Sequence, residues 1–151
     1  MVASEDAGVR TLSLKQVRDL CAGRITNWKE VGGADLPVHL VSRNPGSGTR
    51  STLEQRVLAG ADLPKVTVDD CVGLDPDRPG RCEVGDTDTL LSTVARTPGA
   101  LGHSEVGAAT AHDDLVRVRI DGAEGVEDGA YPYWQTEYAC TYGKPPADSI
   151  E

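Results

Sequence analysis

The stretch VSRNPGSGTR, residues 41–50, contains side chains that could bind an anion. Arg43 ends an apolar run, and glycines at 46 and 48 alternate with Ser47 and Thr49 before a helix-like pattern begins. The first amides of a helix have no partners inside it, and the helix dipole adds partial positive charge there. Glycine lets the backbone approach a ligand, hydroxyls donate hydrogen bonds, and arginine offers two parallel donors. The stretch therefore has the composition of an oxyanion site.

Several sharper motifs are excluded. A Walker A loop needs a lysine before its last Ser/Thr and a longer span between its glycines. A nucleophile elbow needs a glycine two residues before its serine, and this chain has Pro45 there. The G-x-G-x-x-G fingerprint is also missing. One alternative involves no ligand: Ser47 or Thr49 only caps the helix. Spacing alone leaves both interpretations open.

A strand and a helix would position this turn. Residues 38–42 are short and rich in valine, which predicts a strand. Residues 50–60 predict a helix with Leu53, Val57 and Leu58 facing inward and Gly60 at its end. Strand, glycine-rich turn and helix thus follow one another in the order that an anion site requires.

Helices and strands alternate through most of the chain. Ser13 and Gln16 predict a capping box on a first helix that Gly23 ends. Asp86 is the predicted cap of a third helix, which stops at Thr97-Pro98. A short strand is expected in residues 100–104 and an alternating one in 115–122. The expected inward positions of the third helix and the last strand are Leu90, Leu91, Val94, Val116, Val118 and Ile120, with Arg117 and Arg119 facing outward.

This alternation predicts a three-layer α/β domain with a largely parallel sheet. The 151 residues suit one domain, 1–151, with its core at about 11–143 and frayed ends at 1–9 and 144–151. Trp28 is expected to be an apolar plug. The rings of Tyr131, Tyr133, Trp134 and Tyr138 are expected to pack rather than to form a sugar platform.

The charge balance restricts the partners. Fifteen Lys and Arg against 24 Asp and Glu give a formal charge of −9, which disfavours nucleic acid and anionic membranes as partners. No apolar run approaches the roughly 18 residues that cross a bilayer, so no membrane insertion is expected. The start has no signal-peptide pattern, which does not settle the compartment.

Four cysteines add information about that compartment. None lies in a C-x-x-C motif, so a structural zinc site is not expected. Cys71 and Cys82 flank a turn-rich loop that a disulfide could close, which would leave Cys21 to pair with Cys140. These bridges would indicate an oxidising, extracytoplasmic location. The alternative is four reduced thiols in the core.

The segments SLKQVRDLCAGRITNWKEVGG, VHLVSRNPGSGTRSTLEQRVL, ARTPGALGHSEV, VRIDGAEG and YPYWQTEY occur in this order. In order and spacing the chain resembles the phosphate-binding proteins of ABC phosphate-uptake systems, which are type II periplasmic binding proteins. The resemblance covers residues 11–143. It implies two α/β lobes around a cleft, of which this chain corresponds to the second lobe only.

The resemblance also implies a function and a ligand set. The chain would be an extracytoplasmic binding module for phosphate or a similar oxyanion, working with a companion lobe and an ABC transporter permease, without a cofactor or catalytic activity. Its ligands would be Arg43, Ser47, the backbone amide of Gly48, and Thr49. Pro45 stands where the family commonly has an aspartate that accepts a proton from phosphate. Selectivity against sulfate, which has no proton to give, is therefore in question.

The three histidines are not expected to bind the ligand. His103 stands where the family more often has tyrosine, and it is expected to pack or to lie on the surface rather than to bind ligand. His39 and His112 are interpreted as incidental, with no role in a site.

An enzyme would need a histidine and an acid near Ser47, and nothing in the sequence places them there. An alternative function is a sensing or interaction domain of a larger surface protein that has lost transport.

Overall fold

A computed structural model describes residues 1–121 of the chain. It contains four α-helices and seven short strands within that range. The strands are β1 (Val2–Ser4), β2 (Thr11–Leu12), β3 (His39–Arg43), β4 (Gly80–Val84), β5 (Ala100–Gly102), β6 (Leu115–Arg117) and β7 (Arg119–Ile120). The helices are α1 (Leu14–Cys21), α2 (Gly48–Leu53), α3 (Thr87–Arg96) and α4 (Val106–Thr110), and α2 continues as a π-helical turn, Glu54–Leu58.

Five strands form one sheet in the order β4-β3-β5-β1-β6. β3 is parallel to β4 and to β5, whereas β1 is antiparallel to both β5 and β6. Four of the five strands therefore run in one direction and only β1 is reversed. The strands β2 and β7 form a separate parallel pair. The predicted largely parallel sheet is confirmed, with β1 as its exception.

Helices cover both faces of the sheet. On one face α1 and the α2 segment pack on Leu40 and Leu101 through residues such as Val17, Leu20 and Leu53. On the other face α3 buries Leu90, Leu91 and Val94, together with Val41 and Cys82 of the sheet. Neighbouring residues of a strand point to opposite faces, so each strand contributes to both cores. This is the three-layer arrangement that the sequence predicts.

The amino-terminal residues differ from the prediction. Residues 1–9 were expected to be frayed, but Val2, Ala3 and Ser4 form β1 and each is at most 1% exposed. This strand lies inside the sheet, between β5 and β6. A three-residue strand is too short to show an alternating pattern. Only its pairing with distant strands reveals it.

Local sequence signals fix most of the helix starts. Ser13 and Gln16 form the predicted capping box on α1, and the carboxylate of Asp86 accepts the Thr89 amide at the start of α3. In residues 115–120 the predicted alternation is also confirmed, since Arg117 and Arg119 are exposed and their neighbours are buried. The predicted strand at 38–42 is shifted by one residue. Trp28 is fully buried, as expected, and its indole Nε1 donates to the carbonyl of Gly99 at 2.8 Å.

One of the two predicted disulfides is formed. Cys71 and Cys82 are bridged, with 11 residues of sequence separation. Cys21 is instead a free thiol on the buried side of α1, 2% exposed, and burial raises its pKa to about 12. Among the described residues Cys21 is therefore not bridged. Cys140, the aromatic cluster at 131–138 and residues 144–151 lie outside the described residues.

Among residues 1–121, no helix combines the length and the apolar character needed to cross a bilayer.

Candidate functional site

The topology places a switch point at the carboxyl ends of β3 and β5. From β3 the chain passes through α2 to β4, at one edge of the sheet, and from β5 it passes through α4 to β6, at the other edge. Adjacent parallel strands whose connections leave in opposite directions form a topological switch point, where α/β sheets bind ligands. Arg43 is the last residue of β3. The predicted site residues therefore lie where this architecture places ligands.

The turn after β3 brings its backbone to the start of α2. The Asn44 amide donates to the carbonyl of Val84 at 3.0 Å, and the Ser47 amide donates to the carbonyl of Asn44 at 3.3 Å. Gly46 has a φ of 92°, in the left-handed region that favours glycine. Gly48 is exposed, and a Cβ added there would meet nothing within 4 Å. The backbone at Gly48 is therefore approachable, and an amide at the first helical position has no partner inside the helix.

Ser47 caps the helix. Its hydroxyl accepts the Arg50 amide at 3.4 Å and lies 2.9 Å from the hydroxyl of Thr49, which is buried. The capping role that sequence analysis offered as an alternative is therefore present. A serine hydroxyl that accepts one hydrogen bond still has a proton to donate, so capping and anion binding are compatible at this residue.

Arg43 is held by neutral groups. Its Nη1 donates to the hydroxyl of Thr87, the first residue of α3, at 2.9 Å, and its Nη2 donates to the carbonyl of Gly85, which follows β4, at 3.1 Å. Within residues 1–121 it forms no ion pair with a carboxylate, and its buried Nε has no hydrogen-bond acceptor. A buried donor without a partner costs about 1–3 kcal/mol. Arg43 therefore retains both a full charge and an unused donor.

A second group of charges lies behind the turn. Oε1 of Glu83 accepts from Arg50 Nη1 at 2.7 Å and from Arg81 Nη2. Burial lowers the pKa of Arg81, although Glu83 opposes this. Burial also acts against the charge of Arg50, but hydrogen bonds to Glu54 and Glu83 outweigh it and raise the pKa. Sequence analysis missed this group. Its only signal was Arg81 and Glu83 at alternate positions of an otherwise apolar strand.

The histidines have different environments. His103, just after β5, is 2% exposed, which agrees with a packing role. Burial lowers its pKa from 6.5 to about 3, and nearby positive charges, including those of Arg43 and Arg50, add to this. His112 is partly exposed, with Nδ1 at 3.5 Å from an Asp114 carboxylate oxygen. Within the described range no three His, Cys, Asp or Glu side chains are grouped as metal ligands.

The prediction that His39 is incidental was wrong, because its buried ring forms specific hydrogen bonds. The side chain is 2% exposed, with Nδ1 at 3.0 Å from the Pro98 carbonyl and Nε2 at 2.9 Å from the carbonyls of Asp75 and Arg78. It therefore links β3 to the disulfide-closed loop and to the residues before β5. Nothing in the sequence pattern indicated this, because all three partners are main-chain atoms distant along the chain.

The comparisons with known proteins agree with this geometry. A family model described as a PBP superfamily domain matches residues 1–151. The chain is 32% identical over 143 residues to the phosphate-binding protein PstS of Bacillus subtilis (strain 168), and the match covers 92% of this chain and 42% of that protein. That relative is named as a binding protein and not as an enzyme, in agreement with the prediction that the chain is not an enzyme.

Three solved structures are similar. One, described as a phosphate ABC transporter substrate-binding protein with bound phosphate from Clostridium perfringens, matches with a TM-score of 0.63 and 31% identity, over 82% of this chain and 44% of that chain. PstS from Borrelia burgdorferi matches with a TM-score of 0.70 at 17% identity, over 87% and 52%. An ABC-type phosphate transport receptor from Vibrio cholerae matches with a TM-score of 0.65 at 23% identity, over 84% and 48%. The last two show the shared fold alone.

The chain spans about half the length of each of these relatives or less. That share fits one lobe of a two-lobed binding protein. Because the family model matches all 151 residues and the sheet agrees with solved phosphate-transport proteins, the chain belongs to the PBP superfamily.

Proposed function

We propose that this chain is one lobe of an extracytoplasmic substrate-binding protein of an ABC transporter, and that it binds phosphate or a similar oxyanion. The anion would lie at the carboxyl end of β3. Arg43 would supply the charge, the Gly48 amide would donate from the helix start, and the hydroxyls of Ser47 and Thr49 would complete this lobe's share. The companion lobe would close over the other side.

The unused capacity of Arg43 supports this proposal most strongly. Its two Nη atoms are fixed by Gly85 and Thr87, while its charge has no carboxylate partner among residues 1–121 and its buried Nε has no acceptor. An oxyanion at the turn would provide a partner for the charge and an acceptor for Nε. A charge-assisted hydrogen bond of this kind is about twice as strong as a neutral one.

The location of the protein is part of the proposal. The Cys71–Cys82 bridge is of a kind that persists in oxidising compartments and is rare in the cytosol. The relatives named above belong to phosphate uptake, in which the binding protein passes its ligand to a membrane permease. An extracytoplasmic lobe that delivers its anion to such a permease is consistent with both observations.

The described residues offer the anion donors but no evident proton acceptor. Pro45 is exposed and has no side-chain acceptor. Asp86 uses both carboxylate oxygens to accept from the amide and hydroxyl of Thr89, and Oε1 of Glu83 accepts from two arginines. The lobe alone is therefore expected to bind phosphate and sulfate with similar affinity. With half of the pocket supplied elsewhere, the expected Kd is millimolar or weaker, about −4 kcal/mol.

Titration of the isotopically labelled 151-residue chain with phosphate and with sulfate, at constant ionic strength, tests the proposal. NMR shifts should concentrate at the Gly48 amide and at Nε of Arg43, and both anions should produce them. Arg43→Gln should abolish the shifts, whereas Arg24→Gln, which removes a surface arginine paired with Asp19, should not. Absence of saturable shifts in the wild-type chain would refute anion binding. Micromolar affinity would refute the assignment of a half-site.

A sensing or interaction domain remains the second candidate function. Pro45 in the position of the family's aspartate favours it, because this residue removes the means of selecting phosphate. The flanking gene sequence discriminates between the two functions. A transport protein should supply the companion lobe, and a sensor should instead carry a transmembrane helix and an unrelated module.

A further inference from the structure

A cluster of charges, partly buried except for the exposed Glu54, fixes the end of β3 from one side of the sheet. The cluster consists of Arg50 on α2 and Arg81 and Glu83 on β4, with Glu54 on the π-helical turn. A single oxygen, Oε1 of Glu83, accepts from both Arg50 and Arg81. Arg81 is 4% exposed, so this interaction is shielded from water.

Three hydrogen bonds connect the cluster to the strand that ends at the site. Arg50 Nη1 donates to the main-chain carbonyl of Arg43 at 3.0 Å. Arg81 donates to the hydroxyl of Ser42 from Nε at 3.2 Å and from Nη2 at 3.1 Å. The last two residues of β3 are thus held by side chains from two other elements. The anion turn begins directly after them.

Arg43 is restrained from both faces of the sheet. Arg50 holds its carbonyl on the α2 face, while Gly85 and Thr87 hold its guanidinium on the α3 side. Loss of either restraint would allow the guanidinium to move relative to the start of α2. A displacement of about 1 Å is large on the scale at which binding residues must be held.

The cluster balances its own charge. Two arginines are matched by Glu54 and Glu83, so the group adds no net charge to the anion site. Its guanidinium groups also point at carboxylates and carbonyls rather than at the turn. A second anion site is therefore not the explanation of these arginines. A geometric role accounts for both their pairing and their contacts with Ser42 and Arg43.

We propose that Arg50 and Glu83 are positioning residues for the anion site: Glu83 orients Arg50, and Arg50 fixes the carbonyl of Arg43, which keeps the Arg43 guanidinium in place at the carboxyl end of β3. The proposal rests on the proposed function for its effect on affinity. Its effect on the turn itself does not depend on any ligand. The two effects can therefore be measured separately.

Arg50→Lys tests the proposal without changing the net charge, because a lysine ammonium lacks the planar fork that bridges Glu54, Glu83 and the Arg43 carbonyl. Arg24→Lys is the matched control, since it loses only a surface pair on α1. In the absence of ligand, hydrogen exchange of the Asn44 and Ser47 amides should become about tenfold faster in Arg50→Lys and stay unchanged in the control. Phosphate Kd should weaken about tenfold in Arg50→Lys and stay unchanged in the control, with both variants folded at the temperature of the titration.

Glu83→Gln should act in the same direction, since a neutral amide oxygen accepts from two guanidinium groups more weakly than a carboxylate oxygen does. Should either variant fail to fold, Ser42→Ala, which removes the hydroxyl that accepts from Arg81 and donates to the Cys82 carbonyl, provides the same amide readout. Unchanged exchange at Asn44 and Ser47 in the folded variants would overturn the positioning role. A fall in Tm with no change in Kd would also overturn it and leave a structural role. If the wild-type chain binds no phosphate, the proposed function fails, while the exchange comparison still decides this inference.

Discussion

Replacement of His103 by phenylalanine should reduce the acid sensitivity of this fold. His103 is 2% exposed, and burial lowers its pKa from 6.5 to about 3. Between these two values the unfolded chain binds a proton at this side chain and the folded chain does not. The stability contribution is therefore complete above pH 6.5 and is lost as the pH falls toward 3.

The size of the effect follows from the shift. Each unit of pKa difference corresponds to about 1.4 kcal/mol. At pH 5, which is about 1.5 units below the unfolded value, His103 should cost about 2 kcal/mol of folding free energy relative to pH 8. Phenylalanine keeps an apolar ring in the site and has no titrating proton. The pH-dependent part of the loss should disappear even if the absolute stability changes.

Urea unfolding of the wild type and of His103→Phe at several pH values between 5 and 8 measures this difference. The wild type should lose about 2 kcal/mol more than the variant over this range. His112→Phe is the matched control, because His112 is partly exposed. Equal pH dependence of the wild type and His103→Phe would show that His103 is solvated or paired in a way that preserves its ordinary titration. The reasoning from burial would then be wrong.

Two further predictions concern stability alone. Replacing both Cys71 and Cys82 by serine should lower the free energy of unfolding by about 3 kcal/mol, because the disulfide restricts the unfolded chain by closing an 11-residue loop. Reductant should destabilise the wild type and leave the variant unaffected. A variant as stable as the oxidised wild type would contradict this prediction. Trp28→Phe should cost about 2 kcal/mol in urea unfolding, since it removes the buried bond to the Gly99 carbonyl and leaves space in the core; a cost as small as that of a surface substitution would contradict it.

The helices that carry the site were predictable because their signals are local. A capping box at Ser13, a carboxylate cap at Asp86 and a serine at the start of α2 each satisfy helix amides within a few residues. The alternation in residues 115–120 likewise reports the two faces of a strand directly. For the same reason the loop closed by Cys71 and Cys82 was predictable, since its ends are only 11 residues apart.

The environment of each site residue was not predictable from such signals. The donors at Ser47 and Gly48 could be identified, but the partners of Arg43 come from the β4–α3 segment, and Arg50 and Glu83 meet only when α2 lies across β4. His39 and the strand β1 were misjudged for the same reason. Their hydrogen bonds are made with backbone groups 36 to about 115 residues away.

The sequence by itself thus determined which residues could bind an anion and in which order strand, turn and helix present them, because capping and periodicity act over a few residues. Only the tertiary structure decided that Arg43 is held by neutral groups, that a balanced cluster of arginines and glutamates fixes its carbonyl, and that His103 and Cys21 are buried. Those properties depend on which side chains the packed sheet brings together. Burial and partner geometry are created by contacts between distant segments, which no local pattern records.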